Sequence, residues 1–356
     1  MNNIKKIGLT ALAGSLVAGS VSAAELSASG SATMTFTGGD ENANHGNGWT
    51  MADSVTFSAS GDVNDIGITL SLELDGDSSS EKQTTVATTG NGFTMGDSLT
   101  FSASGDVNDI GITLSYELDG QGAATDTFDD HSITMDFGDA GSLVFAGHGG
   151  SSAMSARDDI MPAAYEEPWD VVTGADADII NGHSGENMFT YSYDHDSGFK
   201  FIAAYLNASD AQSDVSYSDF GVEYTGVEGL KLVYAAGDVE SVTGTKTEEN
   251  TLAATYAMGA ITVGVQVSES DSNQANADTE SEGVGVSYQV NDDLSVSYGA
   301  HTIEYKTGSD QEATAIGISY TMGSMSISGS MHQVDNIASA GANDRDAYEF
   351  GVSFSF

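Results

Sequence analysis

The chain has 356 residues, with 53 acidic against nine basic side chains and a formal net charge of −44. That balance excludes nucleic acid as a partner, because binding its phosphates requires a basic footprint. Cysteine is absent and proline occurs twice against 43 glycines, so no disulfide framework staples the fold. The composition suits long strands broken by glycine turns.

The first residues read Met1-Asn2-Asn3-Ile4-Lys5-Lys6, followed by an apolar, small-residue stretch that ends Val21-Ser22-Ala23-Ala24 before Glu25. A basic start, an apolar middle and a small-residue cleavage site predict a Sec signal peptide over residues 1–23, with cleavage after Ala23 or Ala24 equally readable. Its removal would leave seven basic residues against 53 acidic ones. No later stretch supplies the ~18–20 consecutive apolar residues of a spanning helix. The exported body, residues 24–356, is then either soluble or a barrel.

Two segments near the start are copies. Residues 46–76 recur at 90–120 with 27 identities in 31, differing only at positions 49, 52, 55 and 72 and their partners. Each copy reads as one hairpin: a strand near Asp53–Ser60, a turn at Gly61–Asp65 and a strand near Ile66–Leu74. Adding a whole hairpin keeps antiparallel order and the sidedness of every connection. Two copies that do not continue elsewhere do not make a propeller or a solenoid.

The same period-two alternation runs through most of the chain, which argues against a disordered polyanion. Ile261, Val263, Val265 and Val267 oppose Thr262, Gly264, Gln266 and Ser268; Leu294, Val296 and Tyr298 oppose Ser295, Ser297 and Gly299. The polar face is mostly Ser, Thr, Gly and Ala, which fits a crowded pore wall better than an open surface. Short turns, among them 138–141, 194–198, 226–229 and 291–293, alternate with longer polar segments such as 238–250, 269–282 and 334–346. The count is seven strands before residue 148 and eleven after 188.

Between them, from His148 to Met188, the alternation stops for 41 residues that hold both prolines, eight acidic residues and a single base, Arg157. A connection of this length in a compact protein is usually functional. At the other end, Tyr348, Phe350, Val352, Phe354 and Phe356 alternate with small and polar residues, so one face is aromatic.

This last strand resembles those of Gram-negative outer-membrane barrels, and the whole body resembles the general diffusion porins, in particular the alphaproteobacterial type. The resemblance rests on architecture, the interrupting loop and the aromatic last strand. It implies an all-β, transmembrane antiparallel barrel of eighteen strands, a sixteen-strand porin plan plus one duplicated hairpin. Sixteen strands with a displaced hairpin is the alternative. Tyr348, Phe350, Phe354 and Phe356 would be the signal read by the barrel-assembly machinery. The 148–188 segment would be the long third loop that folds into the barrel. The resemblance further implies the bacterial outer membrane and its lipid as surroundings, a homotrimer, and passive diffusion of ions and small hydrophilic solutes.

If the loop enters the lumen, Asp158, Asp159, Glu166, Glu167 and Asp170, with Arg157, become the constriction candidates. Carboxylate rings attract cations, whereas the bland reading makes these acids a solvated surface. Face alternation puts Lys200 and Lys231 on the pore wall as its only cations, beside Glu73, Glu117, Asp136, Glu223 and Glu349. General porins usually oppose the loop acids with a basic wall cluster. This sequence departs from that pattern, so cation preference is expected and a two-sided transverse field is not.

No nucleophile elbow, phosphate loop or zinc helix motif occurs, so no enzyme activity is expected. No cofactor is expected either. Asp176, Asp178, Asn181 and Gly182 resemble part of a calcium loop, but the spacing is off by one and the closing Glu is missing. Weak calcium binding by the acidic loops is the alternative. The competing functions are a substrate-selective channel of the same fold and a secreted calcium-dependent surface or adhesion protein. The latter should carry Gly-Gly-x-Gly-x-Asp repeats, which are absent.

Overall fold

Alternating sequences become strands because successive side chains leave opposite faces of the backbone, so an apolar/polar alternation sorts itself onto two sides of one sheet. The computed structural model describes residues 25–39, 49–63, 66–76, 95–119, 131–157, 160–177, 179, 180, 182–185, 187–207 and 215–355. Eighteen strands form one antiparallel sheet. The first seven are β1 (Glu25–Gly39), β2 (Trp49–Val63), β3 (Ile66–Gly76), β4 (Met95–Val107), β5 (Ile110–Asp119), β6 (His131–Asp136) and β7 (Ser142–His148). Eleven follow the long loop: β8 (Met188–His195), β9 (Phe199–Leu206), β10 (Val215–Tyr224), β11 (Leu230–Ser241), β12 (Lys246–Met258), β13 (Ile261–Ser272), β14 (Thr279–Asn291), β15 (Leu294–Tyr305), β16 (Gln311–Met322), β17 (Met325–Asp335) and β18 (Arg345–Ser355).

Each strand pairs with its sequence neighbours, and β1 also pairs with β18, Phe36 opposite Phe350. The ring therefore has no open edge, and the ladder satisfies backbone polar groups from within. Both hairpin copies belong to the ring, so eighteen strands hold and the displaced-hairpin alternative falls.

The outward face is apolar and aromatic: Tyr205, Phe220, Ile316 and Met331 are all more than 45% exposed. Tyr348, Phe350 and Phe354 lie on it as expected, while Phe356 and the 1–23 segment lie outside the described residues. On the inner face Ser, Thr, Gly and Ala predominate. Hydrogen bonds link them across strands, as between Ser58 and Ser71 (3.2 Å) or Ser142 and Ser192 (2.9 Å).

The short turns are tighter than the sequence pattern suggests. In the second hairpin copy only Asn108 and Asp109 separate the strands, at φ 52° and 66°. Two successive left-handed residues make a type I′ turn, whose twist matches the paired strands and which Asn and Asp tolerate. At the opposite end the strands extend into segments that sequence reasoning assigns to loops. Residues 238–250, 269–282 and 334–346 shrink to connections at 242–245, 273–278 and 336–344. The acids there stand on strands, because the ladder keeps pairing beyond the apolar band. Glu269 sits opposite Glu280, Glu280 opposite Glu304, and Glu248 opposite Asp271, all exposed on the outward face.

Candidate pore constriction

The loop between β7 and β8 opens through a two-residue pairing, Gly150–Ser151 with Ser184–Gly185, and lies inside the ring against the wall. Its own core is apolar: Trp169, Val171, Val172 and Ala175 pack with Ala313, Val334, Ile337 and Ala347 of the wall side, and Met154 and Ile180 pack with Ala235. Burying Val171, Val172, Met154 and Ile180 stabilises the seat by about 1.5–3 kcal/mol each.

Polar anchors fix the loop at intervals. Buried Asp219 of β10 accepts hydrogen bonds from the Met154 amide (2.6 Å), the Ala204 amide (3.1 Å) and the Tyr217 hydroxyl (3.1 Å). Arg157, wholly buried, donates to the Ala153 carbonyl and to Glu223 Oε1, each at 2.5 Å. On β13, Gln266 accepts from the Ile160 amide (3.1 Å) and donates to the Arg157 carbonyl (3.0 Å). The Ala164 amide donates to Ser297 Oγ of β15 (2.8 Å). The Tyr165 hydroxyl donates to Glu349 of β18, which also accepts from Thr37 Oγ1 (3.1 Å). On the return path His332 contacts the Pro168 carbonyl (3.2 Å), Trp169 packs on His301, and Arg345 donates to the Thr173 carbonyl (2.6 Å). Gln311 of β16 clasps the Asp176 backbone through both its amide atoms (2.9 and 2.8 Å), and Tyr305 donates to the Asp176 carboxylate (2.5 Å).

A row of glycines on the inner face makes room for this contact. Gly264, Gly285 and Gly299 stand opposite one another on β13, β14 and β15. A methyl on Gly264 would lie 2.5 Å from Pro162 Cδ, and one on Gly299 3.0 Å from Pro168 Cγ. Gly221 takes Arg157 and Gly317 the Tyr165 backbone in the same way. The two prolines of the chain are therefore seated on the row, where a rigid ring replaces the missing side chain.

The sequence-derived candidates separate into groups. Asp158 and Asp159 lie outside the described residues. Glu166, Glu167 and Asp170 are half-buried where the loop crosses β14–β16, with Asp170 accepting the Glu167 amide (2.7 Å). Glu166 and Glu167 line the space between loop and wall together with Ser297 and Ala315. Arg157 does not face open water: its charge is spent on Glu223 beneath the loop. Glu223 also meets Lys231 at 3.6 Å and is cross-strand partner to Lys200, which in turn pairs with Asp194. Bases and acids thus interleave on β8–β11. On the opposite side of the ring, Glu117 and Asp136 lie on the inner face, Asp136 capping the Gly138 amide at 2.9 Å. Glu73 holds the matching register position on β3.

Sequence reasoning passes over Asp219, Gln266, His301, Gln311, His332 and Arg345. Gln266, His301 and His332 leave a readable signal, each breaking a run of small inner-face residues; Asp219, beside Tyr217, and Gln311 and Arg345, at the first positions of their strands, leave none. Arg345 adds a third cation to the wall, contrary to the expectation of Lys200 and Lys231 alone. Of the calcium-like set, Asp178 and Asn181 lie outside the described residues. Among the described residues no three His, Asp or Glu side chains converge to hold a metal.

The barrel has counterparts of known structure. The anion-selective porin from Comamonas acidovorans superposes with a TM-score of 0.58 at 15% identity, covering 94% of this chain and 100% of that one. OmpT of Vibrio cholerae in its trimer form gives 0.57 at 13%, covering 94% and 100%. A mutant of the Rh. blastica porin gives 0.53 at 11%, covering 93% and 100%. At these identities the likeness speaks for the fold. No curated protein matches the chain by sequence. The family model described as Gram-negative porin matches residues 8–356, and on that match the chain belongs to the Gram-negative porins, outer-membrane channels built on this barrel.

Proposed function

We propose that the chain forms a cation-preferring pore for passive diffusion of ions and small hydrophilic solutes. The observation that carries the preference is the distribution of fixed charge. Strands β1–β7 contain no lysine or arginine, while Glu117 and Asp136 lie on their inner face. The bases gather on the other side: Arg157 and Lys231 meet Glu223, Arg345 donates to the Thr173 carbonyl, and Lys200 stands on β9 in register with Glu223. A hydrated cation passing between the loop and β2–β6 meets carboxylates and hydroxyls without a counter-row of bases, and low-dielectric walls sharpen that field.

The Comamonas porin, named anion-selective, shares the fold, so the sign of selectivity lies in the charges and not in the barrel. Diffusion needs no cofactor and no covalent step. Export by the N-terminal signal peptide, recognition of the aromatic last strand by the assembly machinery, and a homotrimer belong to the same reading. The trimer form of the Vibrio OmpT supports the last of these.

Planar-bilayer recording tests the proposal. Stepwise conductance with a reversal potential of cation sign under a potassium chloride gradient is expected. Anion sign, or silence from folded inserted protein, would refute it. Replacing Asp158, Asp159, Glu166 and Glu167 together by their amides should reduce the preference; an unchanged reversal potential would remove these acids from the constriction.

A further inference from the structure

The two hairpin copies are equivalent in the fold as well as in sequence. In β2–β3, Ser54 pairs with Asp75, Ser58 with Ser71 and Val63 with Ile66. In β4–β5, Ser98 pairs with Asp119, Ser102 with Ser115 and Val107 with Ile110, every partner displaced by 44 residues. Their outer neighbours are compatible too. Ser58 faces Ser27 of β1, and its counterpart Ser102 faces Thr69. Ser115 faces Ser132 of β6, and its counterpart Ser71 faces Thr100.

Removing either copy therefore brings hydroxyl opposite hydroxyl and apolar opposite apolar. Deleting 46–89 joins His45 to Gly90 where Gly46 stood, and deleting 77–120 joins Gly76 to Gln121 where Gly120 stood. Two strands leave together, so the order and sidedness of all others persist.

The copies also lie away from the loop's seat. Every loop-to-wall hydrogen bond named above ends on β10–β18, so the loop keeps its position whether the ring has sixteen or eighteen strands. Each copy contributes five carboxylates and no base, and Ser102, Ser104, Thr113 and Ser115 of the second face the lumen by register.

We propose that the duplicated hairpin is a self-contained pore-widening module. Either copy can be excised with closure and loop seat intact, and its presence enlarges the passage between loop and β2–β6. This rests on the pore reading above. Barrel diameter grows roughly linearly with strand number, so sixteen strands instead of eighteen leave about 0.8 of the cross-section. The loop's own bulk is unchanged, so the open passage shrinks by more than that.

The test compares the full chain with the 46–89 and 77–120 deletions, each isolated from membranes. Electron microscopy in nanodiscs counts strands, and planar bilayers give conductance per pore. Sixteen-stranded rings with conductance at or below about 0.8 of the parent's are expected, together with slower entry of larger sugars in liposome swelling. Sixteen-stranded rings that conduct like the parent would overturn the widening role. Failure of either deletion to give a heat-modifiable, protease-resistant barrel would overturn the modularity. A parent that does not conduct would instead refute the pore reading, and the strand count would still test the modularity.

Discussion

Replacing Arg157 by methionine keeps apolar bulk beneath the loop and removes its buried charge. The guanidinium makes two hydrogen bonds at 2.5 Å, and its side chain has no exposed surface. Breaking a fully buried pair by deleting one partner costs about 3–5 kcal/mol. Here Glu223 keeps 19% exposure and the Lys231 ammonium at 3.6 Å, which lowers the expected loss to about 2–3 kcal/mol. The strand ladder does not pass through Arg157, so the loss falls on the loop's seat. At about 1.4 kcal/mol per decade the equilibrium between seated and released loop shifts by roughly 30–150-fold. Limited proteolysis of the folded barrel should cut R157M within 150–187 faster than the parent by that order, and single-channel current should become noisier at unchanged reversal sign. A lysine restores the charge with a single donor head and should recover only part of the protection. Equal proteolytic lifetime and equally quiet current in R157M would refute the anchoring argument.

Gly264→Val should displace the loop at Pro162, since even a methyl there comes within 2.5 Å of the ring; faster cleavage in the loop with an intact barrel on an unheated gel checks this. Tyr165→Phe removes the hydroxyl donated to Glu349 and should cost about 1–3 kcal/mol of loop protection, with ion selectivity unmoved. Burial holds His183 below its ordinary pKa, so the seated loop carries it neutral and the released loop takes up the proton more readily. Seating is then fully supported above about pH 6.5 and weakens as pH falls below it. Loop proteolysis from pH 7.5 to 5.5 should accelerate in the parent, and less in His183→Gln.

The barrel is largely legible in the sequence because one rule, alternation, writes lipid and lumen onto every strand. The ends of strands are less legible. A polar run such as 269–282 reads as a loop, yet a strand leaving the lipid stays paired while its outward residues turn acidic. The loop's existence is equally plain from the break at His148, and Arg157 stands out as its single base. Its partners do not, since Arg157 meets Glu223 across 66 positions and Tyr165 meets Glu349 across 184. Nothing local encodes such pairings. They follow from ring closure, which sets distant strands around one lumen, and from a glycine row whose meaning appears only when prolines lie on it.

The outward acids on β12–β16 fix how deep the protein can float. Along β13 the outer face runs Ile261, Val263, Val265, Val267 and then Glu269, and on β14 the change comes within one residue pair of that line, Glu282 standing opposite Val267. From Ile261 to that line is roughly 20 Å of height at a barrel's tilt, against an apolar band of about 25 Å. A downward slip of one residue pair would push Glu282, Glu269 and their neighbours into hydrocarbon at once. The carboxylates therefore act as a waterline, and the level of the constriction relative to the membrane is set from outside the ring.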